Sequence, residues 1–155
     1  MKKLVLLFAG LSLLAFTGCK DDETERTFGI VGYWQPLKEV RTMVPLGGTG
    51  VSDEIMYSDC KKESRWAFPD KYTGKRTEKG DSATPGQCDT VYERNFTYNY
   101  NEDTKEIEIK YQGIVEPARG KVTSLTENTM NITFEDKTDP TEYQSTTFTF
   151  KRNNN

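Results

Sequence analysis

The chain has 155 residues, a formal net charge of −3, three cysteines and no histidine. That length suffices for one domain with a modest core. The mild acidity argues against nucleic acid as a partner, because phosphate binding needs clustered Lys and Arg. The missing histidine removes Ser-His-Asp and Cys-His chemistry.

The chain opens with Met1-Lys2-Lys3, an apolar run from Leu4 to Phe16 and the small pair Thr17-Gly18 before Cys19. About thirteen apolar residues fall short of the roughly twenty that span a bilayer. A cationic start, a short apolar stretch and small residues describe a secretory signal peptide over residues 1–18. Through Thr17-Gly18-Cys19 the segment resembles a bacterial lipoprotein signal, in which the cysteine after the cut is acylated on its sulfur and its new amino group. Phe16 departs from the leucine usual three places before that cysteine, and an ordinary signal cut nearby, leaving Cys19 as a thiol, is the alternative.

Residues 19–29 then form the acylated cysteine and a polar tether with too little apolar surface to fold. Its Lys20-Asp21-Asp22-Glu23 resembles the signal that some Gram-negative bacteria use to place lipoproteins on the outer face of the outer membrane. The expected location is therefore the outer membrane, surface-exposed, with the lipid membrane as a partner through Cys19; a generic solvated tether is the alternative. Losing Lys2 and Lys3 with the signal lowers the net charge by two, to −5.

An odd thiol in an oxidising compartment invites mispairing. Lipid on Cys19 leaves Cys60 and Cys88, 28 residues apart, to close a disulfide. Such a bridge stabilises by roughly 3 kcal/mol on the chain-entropy estimate; two free buried thiols are the alternative. Neither a metal nor a cofactor is expected, since two lone cysteines without a Cys-x-x-Cys do not make a zinc ligand set.

From Phe28 the pattern becomes that of strands. Tyr33 to Val44 is the first, Gly47-Gly48-Thr49-Gly50 breaks it, and Val51 to Asp59 has room for one short helical turn. Ser64 to Phe68 alternates with Trp66 and Phe68 on one face, Pro69-Asp70 turns the chain, and Tyr72 to Thr77 is a weaker strand. Glu78 to Cys88 holds Gly80, Pro85 and Gly86 with almost no apolar residue and reads as a surface loop. Thr90 to Asn99 alternates with Tyr92, Phe96 and Tyr98, and Glu106 to Tyr111 with Ile107 and Ile109. Pro117 and Gly120 place Ile114 to Leu125 at an edge, bend or bulge. Met130, Ile132 and Phe134 alternate next, then Phe148 and Phe150 in a last strand ending near Arg152, before a disordered tail at residues 153–155.

The fold class is all-β. About eight sequential antiparallel strands with one apolar face escape exposed edges by closing into an up-and-down barrel, wide enough to be filled by side chains or to hold one small ligand. Gly32-Tyr33-Trp34 looks like the Gly-x-Trp that opens the first strand of lipocalins, and Lys151-Arg152 follows the last strand, where that family often places a cation. With the cysteine pair and the terminal Thr-Phe-Thr-Phe-Lys-Arg strand, residues 30–152 resemble bacterial lipocalin-like lipoprotein domains. That resemblance implies a barrel whose Gly32, Trp34 and Arg152 close one end by cation–π attraction and stem packing.

Twelve large side chains are expected to point inward: Trp66, Phe68, Tyr92, Phe96, Tyr98, Ile107, Ile109, Met130, Ile132, Phe134, Phe148 and Phe150. They either line a cavity for a small apolar or amphipathic ligand or simply fill the barrel. No catalysis is expected, and Glu106 and Glu108 read as the solvated face opposite Ile107 and Ile109. A different class of function is a surface module that binds a protein or glycan through the loops Pro45 to Asp59 and Pro69 to Asp89. The second loop carries Lys71, Lys75, Arg76 and Lys79, read as solvated charges. Its Asp81-Ser82-Ala83 resembles a bacterial O-glycosylation motif, with Ser82 as the acceptor.

Overall fold

The computed structural model describes residues 28–153. The signal segment, Cys19, the tether up to residue 27, and Asn154 and Asn155 lie outside the described residues. The chain runs through β1 (Gly32–Pro45), β2 (Val51–Met56), α1 (Asp59–Lys62), β3 (Arg65–Phe68), β4 (Thr73–Asp81), β5 (Cys88–Tyr100), β6 (Glu106–Tyr111), β7 (Ala118–Leu125), β8 (Thr129–Asp136) and β9 (Glu142–Asn153). All strand pairings are antiparallel, and β1 pairs with β9 from Tyr33↔Asn153 to Pro45↔Glu142, which closes the sheet into a barrel.

The closed wall has eight strand positions. Because β9 occupies one edge of β1 along its whole length, β2 and β3 share the other. β2 covers the second half of β1, from Lys38↔Met56 to Met43↔Val51, and β3 covers the first, from Gly32↔Phe68 to Trp34↔Trp66. The two are halves of one wall position, separated by residues 57–64, which carry α1. Ser58 caps that helix, its hydroxyl accepting from the Lys61 N–H at 3.2 Å. A disulfide between Cys60 and Cys88, with Cα atoms 5.3 Å apart, pins α1 to the start of β5. Ser64, almost fully buried, accepts from the Lys79 N–H at 2.9 Å and holds the same excursion against β4.

Strand alternation places the core. In β6, Ile107, Ile109 and Tyr111 are buried while Glu106, Glu108 and Lys110 are exposed, a period of two that follows from the pleat. Two inner positions are glycines because large rings lie over them. A Cβ on Gly74 would sit 2.6 Å from the Ala67 carbonyl oxygen and run into the Phe96 ring. One on Gly120 would meet the Thr133 carbonyl oxygen at 2.5 Å and the Phe134 ring at 2.8 Å.

Four expectations are corrected in whole or in part. Val51–Met56 is a strand, and the helical turn begins only at Asp59. Glu78 to Cys88 is not one loop: β4 continues to Asp81, β5 starts at Cys88, and residues 82–87 alone connect them. The ladder from Arg76↔Arg94 through Glu78↔Tyr92 sustains this stretch although its side chains are mostly polar. Of the edge, bend or bulge expected over Ile114 to Leu125, the edge is excluded, since β7 lies between β6 and β8 in the closed wall, while the register shift between Val122 and Ser124 is the expected irregularity. The disordered tail expected at residues 153–155 is corrected at its first residue, since Asn153 is the last residue of β9 and pairs with Tyr33.

Candidate functional site

The barrel end where β1 begins is shut. Trp34 is fully buried and its Nε1–H donates to the Ile30 carbonyl at 2.8 Å. The Arg152 guanidinium lies 4.2 Å from the centre of the Trp34 ring and donates to the carbonyls of Glu127, Val31 and Gly29 at 2.6, 2.8 and 2.9 Å. Gly32, at φ +144°, leaves the space that this guanidinium fills. One cation thus ties the entering segment, the β7–β8 turn and the last strand together, with its charge against a ring face.

Above this plug the interior is filled. Phe68, Ile109, Met130, Ile132 and Phe150 expose none of their surface, and Trp66, Phe96, Tyr98 and Ile107 almost none. The rings meet edge to face, as in Phe68–Tyr98 at 5.0 Å and Phe96–Tyr111 at 5.6 Å. Tyr98 donates to the Asp70 carbonyl at 2.6 Å, and burial pushes its hydroxyl up to about 12.

The opposite end differs. Tyr92, Phe134 and Phe148 are only half-buried, and among them stands a cation. The Arg76 guanidinium is 4.5 Å from the Trp66 ring centre, 5.5 Å from that of Tyr92, 5.9 Å from Phe148 and 6.0 Å from Tyr111. Its Nη1 donates to the Tyr111 hydroxyl at 3.2 Å and its Nη2 pairs with Glu78. The Nε is buried and has no hydrogen-bond partner, although 22% of the side chain remains exposed. Burial opposes this charge, but Tyr111 and Glu78 outweigh burial and hold the group above the ordinary arginine range. Burial pushes the Tyr111 hydroxyl up, partly offset by the neighbouring Arg76 charge.

A second buried charge stands on β1, at the register position opposite Phe148. Glu39 is almost fully buried; Tyr57 donates to one carboxylate oxygen at 2.5 Å and Arg41 pairs with the other at 2.5 Å. Burial would raise its pKa, but the Tyr57 hydroxyl and Arg41 prevail and hold the carboxyl below its ordinary value.

A model of the lipocalin-like domain matches residues 30–132. The chain belongs to this family. Solved structures similar to this lipocalin-like barrel include lobster apocrustacyanin A1, at 17% identity and a TM-score of 0.46 over 81% of this chain and 61% of that one. H1 crustacyanin from the lobster Homarus americanus is similar at 18% identity and 0.47, over 85% and 65% of the two chains. A bovine odorant binding protein triple mutant is similar at 14% identity and 0.40, over 80% and 74%. The chain spans less than two thirds of the two crustacyanins, and these likenesses concern the fold alone. No curated protein matches it significantly.

In the lipocalin-like barrel the twelve predicted inner residues separate into two groups. Trp66, Phe68, Phe96, Tyr98, Ile107, Ile109, Met130, Ile132 and Phe150 form the filled core, whereas Tyr92, Phe134 and Phe148 surround the open end. Arg76, grouped by sequence with solvated lysines, instead enters the barrel. Its signal was the alternation Gly74-Arg76-Glu78, legible only once Trp66↔Arg76 fixes which face turns inward. Of its former companions, Lys75 does stay outside, paired with Glu93 at 2.8 Å. Glu39 was missed for the same reason, and Tyr57 because it lies between β2 and α1, outside any alternating strand. Ser82 lies in the 82–87 connection, half-buried, its hydroxyl accepting from the Thr84 N–H at 3.3 Å. Glu108 faces out and pairs with Arg119 at 2.8 Å. A concavity of about 640 Å³ at β4, β5 and β6 is lined by Thr73, Lys75, Asn95, Thr97, Lys110 and Gln112 together with the apolar Pro69, Phe96, Tyr111 and Ile114 and the glycines Gly74 and Gly113.

Proposed function

We propose that this protein is a non-catalytic, envelope-anchored binding protein that seats a small amphipathic ligand at the open end of its barrel. The observation that carries the reading is the contrast between the two ends. A plugged and filled half leaves Tyr92, Phe134 and Phe148 half-buried around polar groups only at the other, and large rings left partly wet beside a few oriented polar groups suit a ligand with both characters. Membership of the lipocalin-like family supports it. The signal segment and Cys19 support an anchor in the outer membrane, where two acyl chains give stable attachment at about 0.8 kcal/mol per buried methylene.

Native mass spectrometry of the protein purified from its own host tests this. A reproducible small-molecule adduct lost on unfolding is expected; a clean mass, even after incubation with envelope extract, would overturn the reading. A second reading, an accessory module that binds a protein or glycan through loops, is favoured by Leu46 and Val115, which are 84% and 86% exposed. It requires a Leu46→Ser, Val115→Ser variant to lose a defined partner while retaining any ligand adduct.

A further inference from the structure

We infer that the ligand carries an anionic head, of the carboxylate class, and that Arg76 is the residue that selects it. The inference rests on the open end being a ligand site, and it assigns that site its polar specificity. A guanidinium offers five N–H donors in a rigid fork. Tyr111 and Glu78 each take one Nη contact, and the Nε is buried without any acceptor. A buried donor left unmade is costly, so an arginine held in this state among four rings is poorly explained by folding alone. The four rings desolvate the cation and hold its plane, which strengthens any charge-assisted bond made there.

The charge around the site points the same way. Arg76 is the cross-strand partner of Arg94, and like charges directly opposite each other are unfavourable. Both guanidinium groups flank the Tyr92 ring, at 5.5 and 5.7 Å from its centre. Glu78 pairs with Arg76, but among the described residues no carboxylate lies within ion-pair distance of Arg94, whose Nη1 donates to the Gln112 carbonyl. One positive charge in this row is therefore left for an anion to balance, and Glu78 holds the Arg76 fork in place until that anion competes for it.

The test is fluorescence titration of the full chain with cis-parinaric acid and with its methyl ester, which has the same apolar body and no charge. The acid is expected to bind about tenfold more tightly than the ester, the size of one charge-assisted contact. Arg76→Met should bring the acid down to about the ester's affinity, because the charged contact that separates the two is lost. Glu78→Gln, which removes the competing carboxylate, should tighten the acid several-fold and leave the ester alone. Equal binding of acid and ester by the unaltered protein overturns the anionic head while leaving ligand binding intact, and needs no variant. A preference that survives Arg76→Met in a folded protein overturns the role of Arg76. Binding of neither probe overturns the open end as a ligand site, and this inference with it.

Discussion

Two arginines stand over tryptophans in this barrel, and their hydrogen bonding separates them. Arg152 is 4.2 Å from the Trp34 ring centre and gives its donors to three backbone carbonyls. Arg152→Met keeps the stem but abandons those carbonyls and the ring, so a loss of about 2–3 kcal/mol is expected from urea denaturation. Arg76 is partly unsatisfied. Replacing it together with its partner, as Arg76→Met with Glu78→Gln, exchanges a desolvated ion pair for packing, and stability should change by less than about 1 kcal/mol or rise. A loss as large as that for Arg152 would mean that the pair serves the fold.

Tyr98 carries a pH dependence with a defined sign. Its hydroxyl is raised from the ordinary tyrosine value of 10.0 to about 12, so the folded state favours the neutral phenol. That contribution is fully present below pH 10 and is lost as pH rises from 10 through 12. The urea midpoint should fall across this window, and Tyr98→Phe should flatten the decline while lowering stability at neutral pH through loss of the bond to Asp70.

At the scale of elements, packing against rings constrains β4 more than its own sequence suggests. Gly74→Ala would drive a methyl group into Phe96 and the Ala67 carbonyl, and a loss of about 1–3 kcal/mol is expected in thermal or urea unfolding. The Cys60–Cys88 bridge ties α1 to β5. Replacing both cysteines by alanine should cost about 3 kcal/mol, and an unchanged denaturation midpoint would show that the excursion is held by Ser64 and packing instead. These two elements also mark how far local sequence carries. β6 was legible because Ile107, Ile109 and Tyr111 alternate with charges, a pattern set by the strand's own pleat. The second half of β4 was not, because its inner positions are Arg76 and Glu78; polar residues on both faces erase the alternation, and only the ladder to β5 keeps the segment extended.

For the whole molecule, closure is the decisive event. Pairing of β1 with β9 joins residues from 97 positions apart at Pro45↔Glu142 to 120 at Tyr33↔Asn153, closes the sheet and gives β9 a partner on both sides. It also sorts the two ends. With Trp34 and Arg152 plugging one, the proposed ligand would enter at the other, and the proposed anchor at Cys19 would reach the chain from the plugged side, where Gly29 and Val31 accept from Arg152. Cys19→Ala is expected to abolish labelling by radioactive palmitate and release the protein from membranes; retention of both would refute the anchor.

Alternating apolar residues and turn residues at regular intervals dictated an all-β barrel, because these are period-two and turn properties that a chain carries locally, and the Gly-x-Trp start added a resemblance to lipocalins. The pairing of Cys60 with Cys88 was legible at the same level and is present in the fold. Two features emerged only on folding. One was the division of the inner residues into a filled half and an open half; the other was the entry of Arg76, Glu78 and Glu39 into the barrel. Both depend on cross-strand register and on which side chains meet across the interior, and neither is a property of any one segment.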